Sequence, residues 1–205
     1  GIRLVARGTA GHGSAPRLDN PIVHLAAAVA TVGAYQSPMR LNETTRAYLE
    51  RLATISPADV AFRYRNLENP RLTERIQAEL RESDIAINSM LRTSISPNII
   101  TGGFRRNVIP DQAEAELDIR ALPDEELEAF LTTLRNLVDD PAVEVTAPTS
   151  MRPAAPPSRL DSDMFHALEQ VQRRNSSLRP RSSCCCGSRN LLSALAPGSF
   201  AVIQK

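Results

Sequence analysis

NVIPDQAEAELDIR, Asn107–Arg120, sets an arginine thirteen residues after an asparagine at the end of an alternating run. From Ala113 to Ala121 the apolar side chains Ala115, Leu117 and Ile119 alternate with Glu116, Asp118 and Arg120. A period of two with one apolar face predicts a strand covered on one side. Leu91–Thr101, just upstream, predicts a second strand, and Ile2–Ala6 alternates weakly enough to predict a third before the glycine-rich turn at 8–13. Val143–Val145 predicts the last.

Helical periods fill the gaps. Asp19-Asn20-Pro21 is a helix start, with side chains available as caps and proline tolerated in the first turn. Ile22, Leu25, Ala26, Val29 and Val32 then recur at helical spacing, which predicts a helix over 21–34 with that stripe turned inward. A leucine-rich helix is predicted over Glu125–Leu137. The order strand, helix, strand, strand, helix, strand is the split βαβ sandwich, four antiparallel strands with two helices on one face. The expected fold class is therefore α+β, ferredoxin-like, interrupted at about 38–91. In that interval Thr44–Leu52, Pro57–Tyr64 and Pro70–Ile87 predict short helices, the last a long polar one suited to packing or to a partner surface.

Beyond 147 the texture changes. TSMRPAAPPS is a proline-rich link, and Asp161–Arg174 predicts a helix with Met164, Phe165, Leu168 and Val171 on one side. From 175 to 205 the periodicity is lost around Cys184-Cys185-Cys186, and this stretch is expected to be an aberrant or disordered tail. The domain division expected is 1–147, with the helical insertion, then 148–174 as link and return helix, then the tail.

Composition narrows the function. With 42% apolar and 23% charged residues the chain is an ordinary globular protein, and its net charge of +1 gives no electrostatic case for nucleic acid or an anionic membrane. No apolar run approaches the ~20 residues that span a bilayer. The three cysteines are consecutive and offer neither a CxxC pair nor a convergent metal-ligand set. A reducing cytoplasm fits this usage.

Gly11-His12-Gly13-Ser14-Ala15-Pro16, then TGGFRRNVIP at 101–110, then LDIRALPDE at 117–125 resemble, in their order and spacing, the dimerisation or lid domain of the M20 metallopeptidases, relatives of carboxypeptidase S, acetylornithine deacetylase and aminoacylase. The resemblance covers about 1–147 well and about 158–174 faintly, the latter as a helix returning to an α/β zinc-hydrolase catalytic domain of which a remnant is expected. It implies a hydrolase that cleaves an amide bond in a small carboxylate-bearing substrate, an N-acyl amino acid or short peptide. It also implies a homodimer and two zinc ions held by histidines and carboxylates. None of those ligand motifs is visible here, so no metal ligand is assigned. The expectation is a fragment without turnover of its own, the metal-binding half lying before Gly1. A non-catalytic dimerisation or regulatory module that pairs through its sheet edge and helix is the alternative.

Onto these positions the resemblance maps roles. It implies that His12, between two glycines, stabilises the oxyanion formed when water attacks an amide carbonyl; a loop histidine satisfying a local turn is the plainer reading. Asn107 becomes a contact to substrate or tetrahedral intermediate, against an asparagine that closes its own loop. Arg120 can grip a carboxylate by two parallel bonds, and family position supports that role, against a strand-surface salt bridge with Glu116 or Asp118. Gly102 and Gly103 allow a close backbone approach beside substrate or form a simple turn. His24 and His166 have no ligand-like spacing and are expected to be structural. Ser14 lacks a nearby acid and base arrangement for nucleophilic chemistry. Asp124, Glu125 and Glu126 read as a negative helix start.

Overall fold

The computed structural model describes residues 1–147, 157 and 159–178, with side chains through 175. The predicted link is almost entirely outside these residues, and the tail nearly so, the triple cysteine included. The described residues divide into two compact units: Gly1–Pro38 with 93–147, and Met39–Arg92 with the described residues from 157 onward.

In the first unit, β1 (Ile2–Arg7) and the two-residue β2 (Gly11–His12) lead to helix α1 (Pro21–Ala34). In the second, Met39–Arg92 holds α2 (Glu43–Ala53), α3 (Ala58–Arg65), α4 (Thr73–Ser83) and α5 (Ile85–Met90). The chain resumes the first unit with β3 (Ser94–Gly102), β4 (Val108–Ile109), β5 (Gln112–Arg120), α6 (Leu127–Val138) and β6 (Val143–Thr146). Helix α7 (Asp163–Leu178) belongs to the second unit.

The main sheet has the order β3-β5-β1-β6, and every pairing is antiparallel. With α1 and α6 supplying the two crossovers, this is the split βαβ sandwich that the alternation predicts. Ile2, Leu4 and Ala6 of β1, Ala113, Ala115 and Leu117 of β5, and Val143 and Val145 of β6 pack against Leu25, Ala28 and Val32 of α1 and Phe130, Leu131 and Leu134 of α6. Leu4 and Leu134 are fully buried, and each such leucine contributes about 1.5–3 kcal/mol by leaving water. Edge strand β3 breaks its register between Pro97 and Ile99, where proline lacks the N–H that a central strand would need.

Local details depart from expectation for identifiable reasons. In α1 the buried stripe is Pro21, Leu25, Ala28 and Val32, while Ile22 and Ala26 face out, because the helix is turned so that its small Ala28 meets the sheet. Asn20 is the cap, accepting the Ile22 N–H at 3.0 Å. The long helix predicted at 70–87 is two: Asp84, with φ −144°, accepts the Ile87 N–H at 3.1 Å and so starts α5 rather than continuing α4. On α7 the half-buried positions are Phe165, Leu168, Glu169 and Gln172, whereas Met164 and Val171 are exposed. Arg51 of α2 explains the shift, pairing with Glu169 at 2.8 Å and lying over the Phe165 ring. At the mouth of the helical unit the Arg40 N–H donates to the Leu91 carbonyl at 2.8 Å, so the two ends of the insertion meet.

Candidate substrate-contacting site

Beyond Arg7 and Gln112 the β1–β5 pair does not stop. The Gly8 N–H still reaches the Asp111 carbonyl at 2.9 Å, and pairing then resumes as β2 with β4, Gly11 opposite Ile109 and His12 opposite Val108. Three residues on one side, Gly8–Ala10, face two on the other, Pro110 and Asp111, the mismatch of a bulge. The result is a two-stranded ribbon that the sequence reading missed. Two-residue strands leave no alternation to detect.

At the tip of this ribbon His12 and Asn107 come together. The Gly13 N–H donates to the Asn107 carbonyl at 2.8 Å, and the His12 and Asn107 side chains are both exposed. The His12 tautomer follows from its neighbours. The Ser14 backbone N–H, which can only donate, points at Nδ1 from 3.2 Å, and the Ser14 hydroxyl lies 2.7 Å from the same nitrogen. Nδ1 is therefore an acceptor, and the neutral ring carries its proton on Nε2, facing outward as a donor.

Gly102 and Gly103 lie at the same end. Gly102 is opposite Ala113, so close that a Cβ there would stand 2.9 Å from the alanine Cβ, and Gly103 takes φ +71° to leave the strand. The turn is realised at Gly103, and at Gly102 the close approach is between β3 and β5.

Arg120 is elsewhere. It lies opposite Ser94, seven residues along β5 from Ala113, about 23 Å at strand rise. Its Nε and one terminal nitrogen donate to the same Asp118 carboxylate oxygen at 3.0 and 2.8 Å, and its side chain is 55% exposed. Within one chain, then, four of the five sequence-designated residues share an end of the sheet and the fifth sits at the other.

The loop carrying His12 is closed at its base. Asp19 accepts from the Thr9 N–H at 3.1 Å and from Arg17 Nε at 2.8 Å. The hydrogen bond from Arg17 and that from Thr9 hold its carboxyl down to about 2. His24 does have a carboxylate partner, Asp140, 116 residues away and beyond the reach of any local spacing rule. Of the acidic trio, Glu126 caps α6 by accepting from Glu128 and Ala129, while Glu125 accepts from the buried Thr93 hydroxyl.

Among the described residues no group of three or more His, Cys, Asp or Glu side chains could hold a metal ion. The described residues do not fit a dinuclear zinc centre. None of the described helices is long and apolar enough to cross a membrane.

A split βαβ sheet extended by a short two-stranded ribbon is an α+β domain, and residues 1–146 match the model of the peptidase dimerisation domain. The chain belongs to that family, the dimerisation domain of the M20 peptidases. Over 146 residues it is 32% identical to the N-fatty-acyl-amino acid synthase/hydrolase PM20D1 of Homo sapiens, covering 70% of this chain and 28% of that protein. It is 25% identical over 170 residues to a probable carboxypeptidase S-like 2 of Dictyostelium discoideum, covering 83% and 32%. Human carnosine dipeptidase 1 shares the fold at a TM-score of 0.53 and 17% identity, with 87% of this chain and 41% of that one aligned. The chain thus spans about a third of the length of the curated relatives it matches.

Proposed function

We propose that this chain is the substrate-covering lid of a zinc-dependent M20 hydrolase that cleaves an amide bond in a small carboxylate-bearing molecule, an N-acyl amino acid or a short peptide. The observation that carries the reading is the Nε2–H of His12, exposed beside Asn107 with its tautomer set by the Ser14 amide. Such a donor stabilises the oxygen of an amide carbonyl as negative charge develops on it, and Asn107 offers a second polar contact. Gly102 and Gly103 let the substrate approach the backbone. Arg120 takes the free carboxylate; its exposed pair with Asp118 is the kind worth at most about 1 kcal/mol, so exchanging or sharing that partner costs little. Metal ligation, two zinc ions in the complete enzyme, falls to groups outside the described residues. The isolated chain binds and does not turn over.

The separation of Arg120 from His12 and Asn107 supports a homodimer in which one copy supplies the ribbon and the other the arginine. Edge strand β3 is a ready pairing surface, with Ile99 49% and Ile100 61% exposed. The same edge favours the second reading, a dimerisation or regulatory module with no need of His12. Titrating the purified chain with an N-acyl amino acid separates the two. Expected are NMR shift changes at Arg120 and His12 that vanish with the methyl ester, and no hydrolysis with zinc added. An intact dimer that shows no shift changes establishes the module reading. Zinc-dependent hydrolysis abolished by a chelator overturns the assignment of the chain as a lid without turnover.

A further inference from the structure

His24 on α1 is held at both ends of its ring. Nδ1 lies 2.6 Å from Asp140 Oδ2, on the turn between α6 and β6, and Nε2 lies 3.1 Å from the Leu18 carbonyl oxygen. A carboxylate and a carbonyl are both pure acceptors. A neutral imidazole has one N–H and satisfies one of them while turning a lone pair on the other; the imidazolium donates to both. Asp140 is itself fixed, its other oxygen accepting the Ala142 N–H at 2.8 Å.

Leu18 belongs to the loop that carries His12. Its side chain is 99% exposed and contributes no packing, so what anchors the loop at this point is the backbone carbonyl. Next to it Gly8 passes so near Asp19 that a Cβ would stand 1.9 Å from the Asp19 carbonyl oxygen, and Thr9 donates to the Asp19 carboxylate. The base of the loop is thus one polar cluster, with His24 joining it to the helix layer.

We infer that His24 is a positioning residue for the site loop: its imidazolium braces α1 and the Asp140 turn to the Leu18 carbonyl, and loss of its proton frees the loop that carries His12. The inference rests on the proposed function only for what the loop then does. The acidic groups acting on the ring are Asp140 and, on the loop, Asp19, which is paired with Arg17. From β1, Arg7 turns to Gln112 and Glu144; Asp139 adjoins Asp140 at the end of α6. The remaining faces of α6, β3, β5 and β6 that pack on α1 are apolar.

The hydrogen bond that His24 donates to Asp140, more than any other contact, raises the His24 pKa above its usual 6.5, against the opposing effect of burial. His24 in turn holds Asp140 below its usual 3.8. A histidine whose folded pKa is raised contributes stability that is fully present below 6.5 and is lost as pH rises through the folded value. Asp140 contributes in the opposite direction, lost as pH falls through its depressed value, so the brace is whole between the depressed value of Asp140 and the raised value of His24 and opens above the latter.

The test is amide exchange at Thr9 and Ala15, corrected for intrinsic rate, in the whole chain, with imidazole 15N spectra reporting His24. A His12→Gln background leaves His24 as the imidazole nearest the loop. Protection is expected to fall about tenfold or more, the scale of one hydrogen bond to a charged group, with the midpoint of His24 itself. Asp140→Asn moves both midpoints together to lower pH, and His24→Gln leaves protection independent of pH. Protection that stays flat while His24 titrates, or a loop midpoint that Asp140→Asn leaves in place, overturns the inference. Because no turnover is measured, it fails or stands independently of the proposed hydrolysis.

Discussion

Substituting Gly8 by alanine forces a collision that the backbone cannot sidestep. The new Cβ would stand 1.9 Å from the Asp19 carbonyl oxygen and 2.9 Å from the Pro21 ring, whereas carbon and oxygen settle at about 3.3 Å or more. The Asp19 carbonyl must therefore retreat by roughly 1.4 Å, and it adjoins Asn20, the cap of α1. Overpacking of this kind costs about 1–3 kcal/mol, and with obstacles on two sides the upper end is expected. For a chain of this size, a urea slope near 2 kcal/mol per molar turns 3 kcal/mol into a fall of about 1.5 M in the midpoint. The assay is urea unfolding followed through the amide signals of β1 and β5. A second reading comes from Asp19: displaced from Thr9 and Arg17, its carboxyl rises from about 2 toward 3.8. A variant with the wild-type midpoint and an Asp19 that still titrates near 2 would refute the view that this contact closes the loop.

Three further expectations concern other parts of the molecule. Thr93→Val leaves the Leu122 N–H, which now donates to the Thr93 hydroxyl at 3.1 Å, without an acceptor in a site where Thr93 is 2% exposed. A loss of about 1–3 kcal/mol is expected in urea unfolding, largely recovered by Thr93→Ser. Ile100→Lys places a charge on the β3 edge at a position 61% exposed, and should weaken self-association about tenfold or more in sedimentation while leaving the midpoint of unfolding unchanged. Arg120→Lys replaces a planar fork by a point charge; calorimetric titration should show N-acyl amino acid affinity reduced about tenfold, and equal affinity removes the arginine from the carboxylate site.

Strand β5 was legible because it obeys a period of two against a single covered face, as Ala115, Leu117 and Ile119 do, whereas β1 alternates only weakly and β3 is exposed along most of its length. The helix layer was legible for the same reason in the period of 3.6, although in α1 the stripe is displaced from Ile22 and Ala26 to Pro21 and Ala28. That difference is a rotation, and small residues on several faces leave rotation undetermined until the sheet is in place. What periodicity could not carry is the ribbon, whose two paired positions per strand are fixed by the bulge at Gly8–Ala10 and by Asp111. The same holds for His24 and Asp140, whose partnership exists only after β1 and β6 have brought the chain round. His12 and Asn107 were picked out by motif, and their adjacency is a product of that ribbon.

The hydrogen bond from Arg40 to Leu91 has a bearing on how this protein can change. A stretch of chain that begins and ends at one point is a side branch: it can lengthen, shorten or be exchanged without asking the trunk to move. The strand that follows keeps its place in the sheet whatever the branch contains, because its register is written in its own pairing with β5. Variation in the helices of Met39–Arg92 can thus accumulate while the pairing that builds the ribbon, which lies wholly within the other unit, is kept.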